Sequence, residues 1–301
     1  MVSEATRLRA GDPRRAYLLG ILLLILGTIA FSSAGFFVRI LGRDAATLLF
    51  WRGIFTALAV LAFVGWQEGR GTVAAFCAMG APGLAVAVLS TASMATFIAS
   101  LQYTTVANNS IIFGTAPFLT AGLGWLMIGE RPSRPTMLFS VIAFTGAALV
   151  VGSSLQLSGP SLVGDGLAVL MTLSFTVKTV LVRQYRERPM IPAGCVGALL
   201  GSAVAIPFVA DWSITLDELW LFALFGFTQQ GAGLILTTLG IGRVPAAHAA
   251  LLMALDLPLS PVWVWAVFGE RPSAMALGGG AIVLVAIMGH IVVEGRRQRR
   301  L

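Results

Sequence analysis

An aspartate lies deep inside a long apolar stretch of this sequence, where a charge has no water to solvate it. Asp256 is about twelve residues from either end of the apolar segment 244–267, which is roughly 18 Å along an α-helix. Because so short a side chain cannot reach water, the carboxyl faces a bundle interior, is protonated, or has a partner. We favour a functional role, in which Asp256 binds the amine of a ligand or titrates a proton. The alternative is a neutral carboxyl that forms a hydrogen bond to a neighbouring helix.

The only lysine of the chain, Lys178, also lies inside an apolar segment, within about nine residues of its end. Three roles are open to it. Its side chain can extend to the polar surface of the membrane, it can pair with Asp256, or it can hold the carboxylate of a ligand. An acid and a base in apolar surroundings would together suit a ligand that carries both charges.

Prolines follow Asp256, and another proline lies at the corresponding position of the first half of the chain. Pro258 and Pro261 come directly after it, and Pro117 lies in the corresponding region of an earlier apolar segment. A proline removes a backbone hydrogen bond from a helix. Paired breaks at corresponding positions of two halves point to a binding site.

The composition requires a lipid environment for the helices that carry these residues. Apolar residues make up 57% of the 301 residues and charged residues 11%, against about 45–50% and 25% in soluble domains. The backbone of such segments satisfies its own polar groups when it is helical. The net charge of +7 does not indicate nucleic acid, because basic residues cluster in the two tails, as topology signals do. The sequence predicts an all-α integral membrane protein.

Ten apolar segments approach the roughly 20 residues that a membrane-spanning helix needs. If both termini are cytoplasmic, fifteen of the twenty Lys and Arg residues fall on the cytoplasmic side and three on the other. This asymmetry predicts a multi-pass protein with both termini in the cytoplasm. The first segment is long enough to span, so we interpret it as a helix and not as a cleaved signal. The segments are 17–38, 46–66, 78–101, 105–128, 134–152, 164–184, 191–210, 217–240, 244–267 and 274–293.

One motif occurs twice in the chain. Residues 125–133 spell W-x-x-x-G-E-R-P-S, and residues 265–273 repeat it 140 positions later. Each copy joins two apolar segments, and its proline suits the first turn of the second helix. The repeat indicates duplication into 1–155, with a cytoplasmic N-terminal tail, and 156–301, with a cytoplasmic C-terminal tail. Because five helices is an odd number, the second half must be inverted, as in many secondary transporters.

Polar residues are concentrated in six of the ten segments, namely the first, third, fourth, sixth, eighth and ninth. A lone Ser or Thr can bond to its own helix, but this segregation predicts that the six helices line a cavity. The side chains that we expect to bind a substrate there are Asp256, Lys178, Gln229, Gln230, Asn108, Ser33, Thr91 and His248.

The histidines argue against a catalytic or metal site. His248 and His290 are far apart in sequence and predicted on different helices, and no H-x-x-x-H or paired-Asp motif occurs. Under the 140-residue offset, His248 corresponds to Asn108. The two residues could contribute to gates at opposite faces of the membrane, or His248 could sense pH. We favour the alternative that they make ordinary hydrogen bonds between helices.

The chain resembles the drug/metabolite transporter superfamily, and within it the EamA-like ten-helix branch. The resemblance rests on two five-helix halves whose fourth and fifth helices are joined by the G-E-R-P-S tips Gly129–Ser133 and Gly269–Ser273, and it covers 17–293. It implies a bacterial inner-membrane exporter of small metabolites with helices one, three, four, six, eight and nine around a cavity. Among members of the family, the chain looks most like exporters of aromatic and other neutral amino acids.

We therefore expect a secondary transporter, not an enzyme, that exports aromatic or other neutral amino acids by alternating access. Its partners are a small-molecule substrate and the lipid bilayer, and no cofactor or metal is expected. Without a Walker motif, proton antiport or the gradient of the substrate itself supplies the energy. The alternatives are export of other small solutes or of cationic drugs by proton antiport and, less favoured, a membrane-embedded enzyme or a receptor that transports nothing.

Overall fold

A computed structural model describes residues 13–100, 103, 112–152, 162–269 and 274–297, and within these residues all regular structure is helical. A π-helical segment, Phe225–Ala232, joins two of the helices. The α-helices are α1 (Pro13–Ser32), α2 (Ala34–Leu41), α3 (Ala45–Glu68), α4 (Thr72–Ala78), α5 (Gly80–Ser100), α6 (Ala116–Ile128), α7 (Arg134–Gly152), α8 (Leu162–Gln184), α9 (Ile191–Ala205), α10 (Leu216–Leu224), α11 (Gly233–Ile241), α12 (Ala246–Met253), α13 (Asp256–Phe268) and α14 (Ala274–Arg297).

Eight helical stretches within the described residues are long and apolar enough to cross a membrane, which confirms the prediction of a multi-pass helical protein. Two further apolar helices, 116–128 and 134–149, are shorter and match the fourth and fifth predicted segments. The start of the fourth segment, 105–111, lies outside the described residues. The count of ten spanning helices therefore stays a prediction. The eight stretches are 15–41, 45–78, 80–97, 162–184, 191–208, 216–241, 246–268 and 277–294.

Each copy of the repeated motif contains a glycine that ends a helix. Gly129 ends α6 and Gly269 ends α13, both with φ near 70°, a left-handed conformation that glycine adopts without steric cost. The prediction that Pro132 opens the next helix is wrong, because α7 begins at Arg134 and Pro135 follows at its second position. A start at Pro132 would have placed Pro135 where the helix needs its first backbone N–H.

The helices pack in a pattern that recurs in the two halves. Helix α1 packs against α11, as α8 packs against α5; α6 contacts α8, as α13 contacts α1. Two further contacts pair equivalent helices with each other: α3 with α9, and α7 with α14. The apolar core includes the fully buried side chains Leu24, Ala87 and Val244, which come from both halves. The halves are therefore packed into one bundle.

The contact between α7 and α14 depends on a glycine. A Cβ placed on Gly146 would lie 2.7 Å from the carbonyl oxygen of Gly279 and 2.9 Å from Val283 Cγ2. We expect Gly146→Ala to destabilise the purified protein by about 1–3 kcal/mol, as overpacking does. A lower melting temperature in detergent would be the readout. The control is Gly278→Ala in α14, where nothing lies within 4 Å; an equal fall in both variants would contradict the prediction.

Candidate functional site

Two helices of the bundle are broken at equivalent positions, as the prolines predicted. A turn at Gly114–Thr115 precedes α6, and a turn at Ala254–Leu255 separates α12 from α13, 140 residues later. Pro117 and Pro258 lie just after these turns. Each lacks a backbone N–H, and its ring clashes with the carbonyl four residues earlier, so a helix cannot run straight through.

A narrow apolar cleft lies at these two breaks. It is formed by the turn before α6 together with side chains of α6, α7, α8, α12 and α13. Among the described residues that line it, Asp256 is the one with a polar side chain, and three phenylalanines supply aromatic surface. The lining residues are Phe113, Gly114, Ala116, Pro117, Ala143, Phe144, Ala147, Phe175, Ala250, Met253, Ala254, Asp256 and Leu257.

The carboxylate of Asp256 is placed in this cleft by the helix break. Asp256 is the first residue of α13, directly after the turn at Ala254–Leu255. Ser260 Oγ donates a hydrogen bond to Asp256 Oδ1 at 3.2 Å. In apolar surroundings a single carboxylate with few partners favours a ligand that brings a positive charge or several hydrogen-bond donors.

Lys178 does not form the predicted ion pair with Asp256 in the part of the chain that the structure describes. Its Nζ lies 4.8 Å from the centroid of the Phe175 ring, a distance typical of a cation–π contact. Phe175 also lines the cleft, so the lysine lies next to one residue of the cleft lining. The two charges are thus near the same ring but are not bonded to each other.

The predicted polar residues on the first and eighth helices lie outside the cleft lining. Gln229, in the π-helical segment, donates through Nε2 to the Phe31 carbonyl at 3.1 Å, while its buried Oε1 has no hydrogen-bond partner. Gln230 is half-buried beside it. Ser33 Oγ donates to the Ala30 carbonyl at 2.7 Å, at the break between α1 and α2. Backbone partners therefore occupy Gln229 Nε2 and the Ser33 hydroxyl.

Thr91 also bonds to backbone, because its Oγ1 lies 3.1 Å from the Ala87 carbonyl and 3.0 Å from the Gly197 carbonyl. The hydroxyl ties α5 to α9. Asn108 lies outside the described residues. Of the predicted substrate-binding residues, the structure brings Asp256 into the cleft and Lys178 next to it, and it leaves Gln229, Ser33 and Thr91 in contacts between or within helices.

His248 makes the interhelical hydrogen bonds that we favoured. Its Nδ1 lies 3.3 Å from the Tyr17 hydroxyl and its Nε2 lies 2.9 Å from Thr136 Oγ1. The two histidines, far apart in sequence, are neighbours in the structure, where the ring centroids of His248 and His290 are 4.7 Å apart. Tyr17, His248, His290 and Glu294 form what we call the histidine cluster. The described residues contain no group of His, Cys, Asp and Glu that could hold a metal ion.

The glutamate of the first motif copy joins three helix ends. Glu130 Oε1 accepts a hydrogen bond from Arg183 Nε at 2.7 Å, and its Oε2 accepts one from the backbone N–H of Ala246 at 3.1 Å. Arg183 Nη1 donates to the Gly242 carbonyl at 2.8 Å. We call Glu130, Arg183 and Ala246 the Glu130 clamp. Sequence reasoning gave neither charged residue a role, although the repetition of the motif was a signal.

A second charged network lies among loops that were predicted on the other side of the membrane. Arg43 donates to both carboxylate oxygens of Glu218, at 2.7 and 2.9 Å, and to Asp211 at 3.1 Å. Hydrogen bonds from Ser213, and then from Arg43, hold the pKa of Asp211 below its usual range. Asp211 therefore stays ionised at mildly acidic pH, and the network does not titrate near neutrality.

Comparison with known proteins identifies the family of this chain. The model of the EamA-like transporter family matches twice, at residues 18–152 and 162–292. An uncharacterized transporter of Archaeoglobus fulgidus is 26% identical, with 88% of this chain and 93% of that protein covered. A Rickettsia conorii protein named S-adenosylmethionine uptake transporter is 21% identical over 96% and 98%. The Pseudomonas aeruginosa pseudopaline exporter CntI is 24% identical over 89% and 94%.

The double match covers most of the chain, and it agrees with the recurring helix contacts and with apolar helices that suit a bilayer. The relatives named above are transporters. This chain belongs to the EamA-like transporter family, and it is a multi-pass membrane protein that transports small solutes.

Proposed function

We propose that the protein is a secondary transporter that exports aromatic or other neutral amino acids across the bacterial inner membrane by alternating access. The observation that carries this proposal is the Asp256 carboxylate in an apolar cleft at two equivalent helix breaks. Such sites recur where secondary transporters bind substrates between their repeats.

The cleft suits the chemistry of an amino acid with a large apolar side chain. Asp256 would accept hydrogen bonds from the ammonium group, and Phe113, Phe144 and Phe175 would pack against the side chain. Lys178, 4.8 Å from the Phe175 ring, would attract the carboxylate. Asn108 stays a predicted substrate contact. The other predicted side chains would then act on gating or packing instead of touching the substrate; they are Gln229, Gln230, Ser33, Thr91 and His248.

The proposal includes an inverted arrangement of the halves 1–155 and 156–301, with both termini in the cytoplasm. The excess of Lys and Arg on one side supports this orientation. Two contacts between loops agree with it. The Glu130 clamp joins loops that were predicted to be cytoplasmic, and the Arg43 network joins loops that were predicted to be external.

Alternating access would require the Glu130 clamp to open and close. It links the tip between α6 and α7 to the end of α8 and the start of α12, so its release would free the side of the bundle that leads to the cleft. The energy source is proton antiport or the substrate gradient. The names of the relatives include uptake as well as export, and export is part of the proposal.

A second candidate is a carrier of cationic solutes, driven by proton antiport. The observation that favours it is that Lys178 is not ion-paired with Asp256 in the described structure, which leaves the carboxylate to balance a positively charged ligand. A cationic drug or a basic metabolite would fit this charge. The two candidates differ in whether the substrate needs a carboxylate.

Uptake into proteoliposomes tests the proposal. We expect protein-dependent uptake of labelled phenylalanine, tryptophan or methionine, and lower uptake of phenethylamine, which has the amine and the ring of phenylalanine but no carboxylate. Each solute is measured with and without a pH gradient. Preference for phenethylamine would favour the cationic candidate. No uptake of any amino acid by folded protein would remove the amino-acid assignment and leave the family membership intact.

A further inference from the structure

The histidine cluster is a second polar site, separate from the cleft and close to the Glu130 clamp. Its four titratable side chains come from α1, α12 and α14, and each is at most 5% exposed. Burial of so many ionisable groups is costly unless they are hydrogen-bonded or serve a function. The cleft does not contain them, so substrate binding alone does not explain why they are there.

A chain of hydrogen bonds connects the cluster. From Tyr17 Oη it passes to His248 Nδ1 at 3.3 Å, and from His248 Nε2 to Thr136 Oγ1 at 2.9 Å. It continues from Thr136 Oγ1 to Ser133 Oγ at 2.8 Å, and Ser133 Oγ donates to Glu294 Oε2 at 3.3 Å. Every link joins groups that can donate and accept, or a carboxylate that accepts. Four helices thus share one path along which a proton can be relayed.

His290 is not part of this hydrogen-bonded chain. Both of its ring nitrogens are buried and have no hydrogen-bond partner, although the ring touches His248 at 4.7 Å and Phe139 at 6.1 Å between centroids. A neutral imidazole always carries one N–H, and a buried donor without a partner costs about 1–3 kcal/mol. The ring lies beside a second imidazole and one helical turn from Glu294, whose carboxylate would favour a protonated ring.

We propose that the histidine cluster is the binding site of a proton coupled to transport. The proton comes from water at the Glu130 end of the bundle and is held by His290 or His248. Glu294, four residues after His290, lies on the same face of α14 and balances the added charge. Release returns the proton to water, so no covalent bond and no oxidant is involved.

Within the described residues, the elements packed against the cluster carry the following groups. Tyr17 comes from α1, Ser133 directly precedes α7, and α7 contributes Arg134, the Thr136 hydroxyl and the Phe139 ring. Helices α6 and α11 contain no titratable residue, and α13, which packs against α14, carries Asp256. On α8, Arg183 is bonded to Glu130, and Lys178 lies over the Phe175 ring.

One short helix connects the cluster to the cleft. His248 is the third residue of α12, and Ala250, Met253 and Ala254 at its other end line the cleft. Eight helical residues span roughly 12 Å. A charge gained at His248, or at His290 in contact with it, therefore acts on α12, the helix that a bound substrate also contacts. Proton binding and substrate binding must then change each other's affinity by the same factor.

The proton site is tested by NMR of isotopically labelled histidine in lipid nanodiscs. The chain has two histidines, both in the cluster, so the spectrum contains no other imidazole. We expect at least one ring to change protonation between pH 5 and pH 8, near the ordinary range of histidine. The variants His248→Gln and His290→Gln assign the two signals. Two rings that stay neutral across this range in the wild type would overturn the proposal, whether or not the variants fold.

Coupling is tested by calorimetry of phenylalanine binding in two buffers that differ in ionisation enthalpy. We expect binding to release or take up protons, with an affinity that changes by up to about tenfold per pH unit for one linked proton. Replacement by Gln of the histidine that the NMR shows to titrate, His290 or His248, should abolish the proton exchange and retain binding. This part rests on the proposed function. Binding without proton exchange in the wild type would overturn the coupling, whereas absence of binding would overturn the amino-acid assignment and leave the NMR result to decide the proton site.

Discussion

Replacement of Asp256 by Asn is expected to lower kcat/KM for amino-acid transport by at least about 30-fold, the loss that follows from about 2–5 kcal/mol when one member of a buried charge pair is removed. The amide has nearly the same size and keeps the contact with Ser260, so the fold should be retained. What it lacks is the negative charge in the apolar cleft. Initial rates in proteoliposomes, normalised to folded protein, give the readout.

Two controls separate the charge in the cleft from charge and packing elsewhere. Asp217→Asn removes an exposed carboxylate from α10 and should leave transport within about twofold, as surface substitutions usually do. Ser260→Ala removes the hydroxyl that contacts Asp256 but keeps the carboxylate, and should have a smaller effect than Asp256→Asn. Transport by Asp256→Asn at the wild-type rate would refute the assigned role.

The Glu130 clamp should be the next most sensitive site. Glu130→Gln and Arg183→Gln are each expected to reduce transport at least about tenfold, because each leaves a charged group without its partner where the side chains are only 28% and 12% exposed. Glu130→Gln also removes a negative charge from the N-terminus of α12, where an anion is stabilising. Because both changes break one contact, the double variant should be little worse than either single one.

A double-mutant cycle measures this clamp directly. The coupling free energy between Glu130 and Arg183, from transport rates or from unfolding, should be about 1–3 kcal/mol. The control cycle uses Arg186 and Glu187, whose side chains are 51% and 63% exposed and 3.7 Å apart; exposed pairs contribute about 0.2–1 kcal/mol. Independent, additive effects at Glu130 and Arg183 would contradict a shared role in gating.

The apolar segments and the helix breaks could be predicted because they depend on local sequence. A run of apolar residues in lipid must be helical, and Pro117 and Pro258 interrupt their helices through their own missing N–H groups. Asp256 could be identified from local sequence too. A carboxylate so far from either end of an apolar segment is rare, whichever neighbours its helix has. The comparisons also confirm the family that the repeated motif suggested.

The contacts between distant segments could not be predicted from spacing. His248 and His290 meet because α12 and α14 both start or end at one side of the bundle, and Tyr17 joins them from 231 residues away. Glu130 reaches Arg183 and Ala246 for the same reason. Lys178 and Asp256 were paired because their charges are opposite, but the lysine lies over Phe175, three residues earlier on the same helix. The sequence alone does not determine which faces of distant helices pack against each other.

Substrate protection of a cysteine placed in the cleft tests the central claim most directly. In a background of Cys77→Ser and Cys195→Ser, Ala254→Cys adds a thiol to the cleft lining, and Ala81→Cys provides a control at an exposed position outside it. We predict that phenylalanine at about ten times its Kd slows alkylation of the cleft thiol roughly tenfold and leaves the control thiol unaffected. Unchanged alkylation of the Ala254→Cys variant, while that variant still transports phenylalanine, would place the substrate site elsewhere.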